Sequence, residues 1–449
     1  MQENKMGVMP VKKLLITMSL PMMISMLVQA LYNVVDSIFV ARVSESALTA
    51  VTLAFPMQNL MFAVCSGTGV GVNAMLSKSL GEKRFDQSDR AANTGIFLAF
   101  VNYVVFTLIA FFFARPFVST QTSDGEIIGY AATYLRIVCC LGFGLQYQMT
   151  FERLLQSTGK TFYSMISQAT GAIVNIILDP IMIFGLFGMP AMGVAGAAIA
   201  TVIGQCIAAS FGLYFNLKKN TEITYSWNLI LHPTAAAVRR IYNVGVPSIL
   251  MMSIGSLMTY SLNRILIAFS ATATAVFGVY FKLQSFFFMP VFGLNNGLIP
   301  VLAYNYGARK KARIIEALRF SVILALVIMT CGTVVMQLFP VQLLKLFNAS
   351  DDMMTIGIGA LRTISLHFPI AAVAIVMGSI FQAFAKSIYS LFVSIARQIV
   401  VLIPVAWLLA KTGVLANVWW CFMIAELMSL MMTLVFFRKL YREIVVPME

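Results

Sequence analysis

Residues 156–164 read QSTGKTFYS, and residues 382–390 read QAFAKSIYS. Gln, Lys, Tyr and Ser recur at the same places, 226 residues apart. The same offset pairs Pro21 with Pro247, Gln58 with Gln284, Gly67 and Gly71 with Gly293 and Gly297, and Gly81 with Gly307. It also pairs Leu135 and Arg136 with Leu361 and Arg362. A gap-free register over so long a stretch implies a chain built from one unit used twice.

Each unit is apolar. The 449 residues are 60% hydrophobic and 11% charged, with a mean hydropathy of +0.87. Soluble domains carry about 25% charged residues. Apolar runs long enough for a bilayer core about 30 Å thick recur along the chain, and we place twelve spans. They lie at 14–40, 48–76, 92–114, 128–150, 162–184, 193–216, 241–269, 275–302, 317–340, 355–380, 388–410 and 417–437. No cleavable leader is recognised ahead of them. The fold class expected is therefore all-α and integral to the membrane. Two six-helix bundles, 1–216 and 241–449, are joined by a polar cytoplasmic linker at 217–240. Six spans per unit give both bundles the same orientation, so their pseudo-two-fold axis runs along the membrane normal.

Charge sets the orientation. Of 31 basic residues, 21 fall in the N-terminal segment and the alternate segments that follow, as in KSLGEKRFDQSDR at 78–90 and ARKKAR at 308–313. The intervening loops carry Arg42, Arg115, Lys345 and Lys411. Basic loops stay in the cytoplasm, which places both termini there and the chain in the cell membrane as a multi-pass protein. The net charge of +14 then reflects topology, and no nucleic-acid partner is expected. The six cysteines form no CxxC pair and there are two histidines, His232 and His367. Neither a structural metal site nor an organic cofactor nor a hydrolytic centre is expected, and the chain is read as a transporter rather than an enzyme.

Ionised groups inside a span are expensive and mark function. Within the spans as drawn, the acids are Asp36, Asp179 and Glu426. Asp36 and Asp179 each lie about six residues from the outer end of spans 1 and 5, at matched depth. Asn175 shares a helix face with Asp179, Thr201 falls at comparable depth in span 6, and Tyr32 and Asn33 lie about one turn below Asp36. Low dielectric and a neighbouring like charge both disfavour an ionised carboxylate. One proton or one Na⁺ bound at Asp36 and Asp179 relieves that repulsion, so Asp36, Asp179, Asn175 and Thr201 are the candidate coupling-ion residues. Two other readings stay open. The Asp179-Pro180 pair marks a helix break whose freed backbone groups the carboxylate satisfies, and Asp36 is a water-exposed residue near a helix end. Glu426 is either a cavity residue or a partner for Arg397, and Tyr32, Asn33, Lys282 and Gln284 are further candidates for a substrate cavity or gate. Pro21 shares a helix with Asp36 and is the candidate hinge, one of several in-span prolines expected to kink or loosen their helices. The repeat maps Asp36 to Leu262 and Asp179 to Val405, so ion coupling is expected in the first bundle alone.

These residues carry a resemblance. SLPMMISMLVQALYNVVDSIFVAR at 19–42, NIILDPIMIFG at 175–185, GVAGAAIATVIGQ at 193–205 and KLQSFFFMPVFGLNNGLIPVLAYNYGA at 282–308 are similar to bacterial multidrug and toxic compound extrusion (MATE) transporters, in order and spacing over about 10–440. The resemblance implies two bundles in a V and export of lipophilic, often cationic drugs or toxic compounds by alternating access, in exchange for H⁺ or Na⁺. It puts the functional carboxylates of one branch on Asp36 and Asp179, with Asn175 and Thr201 as their polar neighbours. Another branch also uses acids in spans 7 and 10, and 241–269 and 355–380 contain none. A monomer is expected. The alternative is a flippase for a lipid-linked precursor, which shares the architecture but needs a wide basic cavity.

Overall fold

The computed structural model describes residues 4–347 and 349–448, and the regular elements among them are all helical. Spans 1 to 3 are Val11–Ala41, Glu45–Gly81 and Phe85–Ser119. Span 4 is a bent pair, Gly125–Cys140 and Phe143–Ser157, and spans 5 and 6 are Thr161–Phe184 and Val194–Lys219. The second half follows with spans 7 to 9, Ala235–Ile267, Ala271–Gly307 and Lys311–Leu338. Span 10 is the bent pair Asp351–Ser365 and Phe368–Ala383. Span 11 joins Ser387–Ile395 to Ile403–Ala410 through a π-helical stretch, Ala396–Leu402, and span 12 is Cys421–Leu440. The helices overrun the expected boundaries, mostly at the basic end, because their last turns project beyond the apolar runs.

The duplication is visible in local chemistry. The Ala47 N–H donates to Ser44 Oγ at the start of span 2, and the Ala273 N–H donates to Ser270 Oγ at the start of span 8, both at 3.0 Å. These are side-chain N-caps. The turns after spans 2 and 8 put Lys83 and Arg309 at positive φ, 59° and 56°. The turns after spans 4 and 10 do the same with Gly159 (87°) and Ala385 (58°). In that last pair the Lys160 and Lys386 N–H groups reach back to the Leu155 and Phe381 carbonyls, each at 2.7 Å, closing the helix ends. A left-handed alanine costs about 1 kcal/mol or more, of which glycine's looser unfolded chain returns part. Ala385→Gly should therefore stabilise the protein by about 0.5 kcal/mol. Unfolding in detergent micelles with denaturant checks this, and a lower midpoint would refute it.

Most of the in-span prolines do not interrupt their helices, and the sharpest bends lie elsewhere. Pro21, Pro56, Pro180, Pro247, Pro290 and Pro300 all lie inside unbroken helices. Neighbouring helices tolerate the one hydrogen bond that each removes. The sharpest bends are 46° after Cys140 and 44° after Ser365, at Leu141-Gly142 and Leu366-His367, within one residue of the repeat offset. Pro369 and Pro404 fit the expected role: Pro369 lies in the first turn after the 44° bend, and Pro404, which has no N–H to close an α-helical turn, follows the π-helical stretch of span 11.

The halves meet along spans 1, 2, 7 and 8. At the basic end their backbones are nearly touching. A Cβ on Gly81 would lie 1.9 Å from the Tyr304 carbonyl oxygen, and one on Gly307 would lie 2.2 Å from that of Lys78. Further in, a Cβ on Gly71 would lie 2.2 Å from the Ile241 carbonyl oxygen, and one on Gly293 2.6 Å from the Met23 backbone. Small residues allow this approach. Contact persists outward to Asn59, whose Nδ2 donates to Ser256 Oγ at 3.2 Å. One turn further out on the same helix faces, Phe55 and Tyr260 are 58% and 64% exposed. The protein is closed at the basic end and parted at the other.

Candidate coupling-ion site

Spans 5 and 6 pack closely because both present glycine. A Cβ on Gly171 would lie 2.8 Å from the Gly204 carbonyl, and one on Gly204 would lie 3.1 Å from the Asn175 Cβ. Gly196 is likewise pressed on the Met182 carbonyl. That approach seats Asn175 against Thr201: Asn175 Nδ2 donates to Thr201 Oγ1 at 3.2 Å. From span 1, Tyr32 Oη meets the same Thr201 oxygen at 3.3 Å. Asp36 and Asp179 complete the cluster, their carboxyl groups close enough to influence one another. Asp179 is fully buried, and Asn175 and Thr201 are each 3% exposed.

The cluster lacks donors. Asp36 Oδ1, both Asp179 carboxyl oxygens and Asn175 Oδ1 are buried with no hydrogen-bond partner. Buried acceptors are normally satisfied. Four that are not, including oxygens from two facing carboxyls, form a hard, anionic set suited to a proton or a small hard cation. The helix-break reading of Asp179 finds no support in the geometry. Its oxygens satisfy no freed backbone group, and span 5 continues through Pro180, so the carboxylate is not there to patch a helix break. No group of three or more His, Cys, Asp or Glu suited to a metal occurs among the described residues.

Two further residues belong here that sequence reasoning missed. Tyr134 of span 4, 3% exposed, lies beside Tyr32, Asp36 and Asp179 and near Gln58 of span 2. The repeat held a clue, because Gln58 pairs with Gln284, which accepts a hydrogen bond from Tyr280 Oη at 2.6 Å. Both halves set a buried tyrosine near this glutamine, but from different helices. Tyr32→Phe removes one hydrogen bond from Thr201 without emptying the site. It should weaken ion binding by about fivefold, the effect of a net bond near 1 kcal/mol, read as a shift in the ion concentration that half-saturates transport. An unchanged half-saturation would exclude Tyr32 from the site.

The remaining candidates are dispersed. Asn33 and Lys282 are exposed. Gln284 belongs to the second half, hydrogen-bonded to Tyr280. Glu426 is 4% exposed, and its Oε2 accepts from Arg397 Nη1 at 3.3 Å. By the repeat, Glu426 corresponds to Ala200, beside Thr201, and Arg397 to Gly171, one turn from Asn175. The second half thus keeps a resident cation where the first half has acceptors without donors. Glu426→Gln, which leaves Arg397 unpaired, should destabilise the protein by about 2 kcal/mol. That is below the roughly 3–5 kcal/mol of a fully buried pair, because the Arg397 side chain is 28% exposed. Denaturant unfolding at neutral pH tests it, and an unchanged midpoint would count the pair as neutral.

One acid lies outside the expected set. With the lower part of span 4 extending to Ser157, Glu152 and Arg153 fall inside the span and are 3% and 7% exposed. Gln148 Nε2 donates to Glu152 Oε1 at 2.9 Å, and Arg153 Nη1 donates to Asn296 Oδ1 of span 8 at 3.2 Å.

Comparison with known proteins agrees with this architecture. The MatE family profile matches residues 21–181 and 247–408, two stretches whose starts are 226 residues apart. The chain is 27% identical to the multidrug export protein MepA of Staphylococcus haemolyticus, over 92% of this chain and 90% of that protein. It is 24% identical to an FAD transporter of Shewanella oneidensis, over 88% of this chain and 88% of that one. It superposes with a TM-score of 0.93, at 24% identity and over 99% of both chains, on an outward-facing multidrug resistance MATE family transporter of the MOP superfamily. The chain belongs to the MatE family: it is a twelve-span membrane transporter of two six-helix bundles, and not an enzyme.

Proposed function

We propose that the protein exports lipophilic, often cationic small molecules from the cell by alternating access, driven by inward movement of H⁺ or Na⁺. The observation that carries this is the set of four unpartnered acceptor atoms on Asp36, Asp179 and Asn175. A carboxyl pair in low dielectric favours the loaded state, and loading from outside draws on the membrane potential, about 2.3 kcal/mol per charge per 100 mV. Asp36, Asp179, Asn175 and Thr201 bind the ion, with Tyr32, Tyr134 and Gln58 orienting them. Relatives described as multidrug export proteins support the substrate class.

In this reading both termini and the basic end face the cytoplasm, as the charge distribution favours. Residues 1–216 form the ion-binding bundle and 241–449 the partner that rocks against it. The test is efflux from proteoliposomes with the pH and Na⁺ gradients imposed separately. One gradient alone should drive a fluorescent lipophilic cation outward, and transport that responds to neither would overturn ion coupling. The relative described as an FAD transporter suggests a second reading, export of an anionic phosphate-bearing compound. Competition of FAD against the cation in the same vesicles separates the two.

A further inference from the structure

The short helix Lys5–Val8 ahead of span 1 lies across the basic end and is bonded to both halves. Asn4 Nδ2 donates to the Thr158 carbonyl of the first half at 3.0 Å and to Glu222 Oε2 of the linker at 2.5 Å. Lys5 lies over Gly159, where a Cβ would be 3.0 Å from its Cε. On the second half, three side chains donate to the carbonyls of the same few residues. Asn305 Nδ2 meets the Met6 carbonyl at 3.1 Å, and Lys310 Nζ meets that of Gly7 at 2.9 Å. Arg313 Nη2 spans two, Met6 at 3.0 Å and Met9 at 2.7 Å. Met6 is fully buried in the core between them. The cationic donors face the carbonyl end of a short helix, which favours positive charge.

We propose that residues Asn4–Met9 are a latch that holds the basic end shut and must let go of the second half each time the protein opens to that side. This inference rests on the alternating-access reading above and adds an element to it. The geometry leaves little choice. The latch runs through Pro10 into span 1, so it stays with the first half when the halves part. The bonds that must break are therefore those from Asn305, Lys310 and Arg313. The segment ahead of span 7 is also bonded across the basic end, but by different residues: the Thr224 and Ser226 N–H groups donate to Asp89 Oδ1 and Asn93 Oδ1 of span 3 at 2.8 and 3.0 Å. The repeat counterpart of Asn4 is Ile230, in the connecting turn Trp227–Leu231, whose Trp227 and Leu231 are 79% and 63% exposed.

Hydrogen–deuterium exchange on the full-length protein in lipid nanodiscs tests the latch. The probes are the seam segments 78–82 and 304–308, where Gly81 and Gly307 press on the opposite backbone. Arg313→Gln removes two latch bonds from the second half, and Asn4→Ala removes the attachment to the first. Both should speed seam exchange by about tenfold, the effect of losing one charge-assisted bond, while Arg313→Lys should restore much of the protection. Faster exchange confined to residues 4–10, with the seam unchanged in Asn4→Ala, would overturn the latch and leave a passive cover. Should Arg313→Gln not fold, Asn4→Ala decides alone. Exchange is read without any driving ion, so its outcome is independent of whether H⁺ or Na⁺ drives efflux.

Discussion

Ion-driven efflux should be lost in Asp36→Asn and, separately, in Asp179→Asn, with both variants still folded and in the membrane. Asparagine keeps the size and one acceptor oxygen but removes the charge. At about 4 Å and an effective dielectric near 20, one unit of charge is worth about 4 kcal/mol of attraction. That is about a thousandfold in ion affinity, enough to uncouple the gradient. The same substitutions should not weaken the fold. Asp179 is buried with both oxygens unpartnered, and a buried ionised group without partners is destabilising, so its replacement should raise the thermal midpoint. Loss of transport together with gained stability is the signature of a binding site, whereas a structural carboxylate would lose both. Full driven efflux in both variants would remove the site from the mechanism. The measurement is vesicle efflux under the effective gradient, paired with thermal unfolding of the purified variants.

The two acids could be foreseen because the relevant geometry is local. Helical rise sets the depth of Asp36 and Asp179, and helical period puts Asn175 one turn from Asp179. Thr201 is in hydrogen-bond contact with both Asn175 and Tyr32. Tyr134 was invisible because nothing in its own helix marks it; only the packing of span 4 against spans 2 and 3 turns it inward. Glu152 and Arg153 were assigned to a loop because a charged pair ended the apolar run. Burial there depends on the neighbours: a Cβ on Gly69 would lie 2.7 Å from the Arg153 Cγ, so the missing side chain makes room for the arginine. Prolines were expected to kink or loosen their spans; of the two sharp bends, the one at Leu366-His367 comes just before Pro369, and the one at Leu141-Gly142 has no proline. A helix surrounded by others survives one missing bond, so in-span proline is a weak signal for a bend. The latch could not be read at all, since its bonds use backbone carbonyls and join residues about 300 positions apart.

The strongest mechanical consequence of the fold lies at Gly81 and Gly307. Gly81→Ala and Gly307→Ala should each shift the conformational equilibrium away from closure at the basic end and slow transport at least tenfold. A new Cβ would meet carbonyl oxygens at 1.9 and 2.2 Å, and both belong to helical backbone that cannot rotate aside. Overpacking of this kind costs about 1–3 kcal/mol, corresponding to a population shift of about 5- to 150-fold. The seam can relieve it by parting, because it is an interface between two bundles and not the interior of one. The duplication sharpens the expectation. Each glycine presses on the carbonyl three residues before its own repeat counterpart, Gly81 on Tyr304 and Gly307 on Lys78, so either substitution parts the same pair of helices. Once one alanine has separated them, the second has little left to displace, and the double variant should be far less than additive. Seam exchange should rise in all three variants, with turnover falling and substrate affinity at the opposite side held. If both single variants transport normally with a protected seam, the basic-end contact is too compliant to govern the cycle.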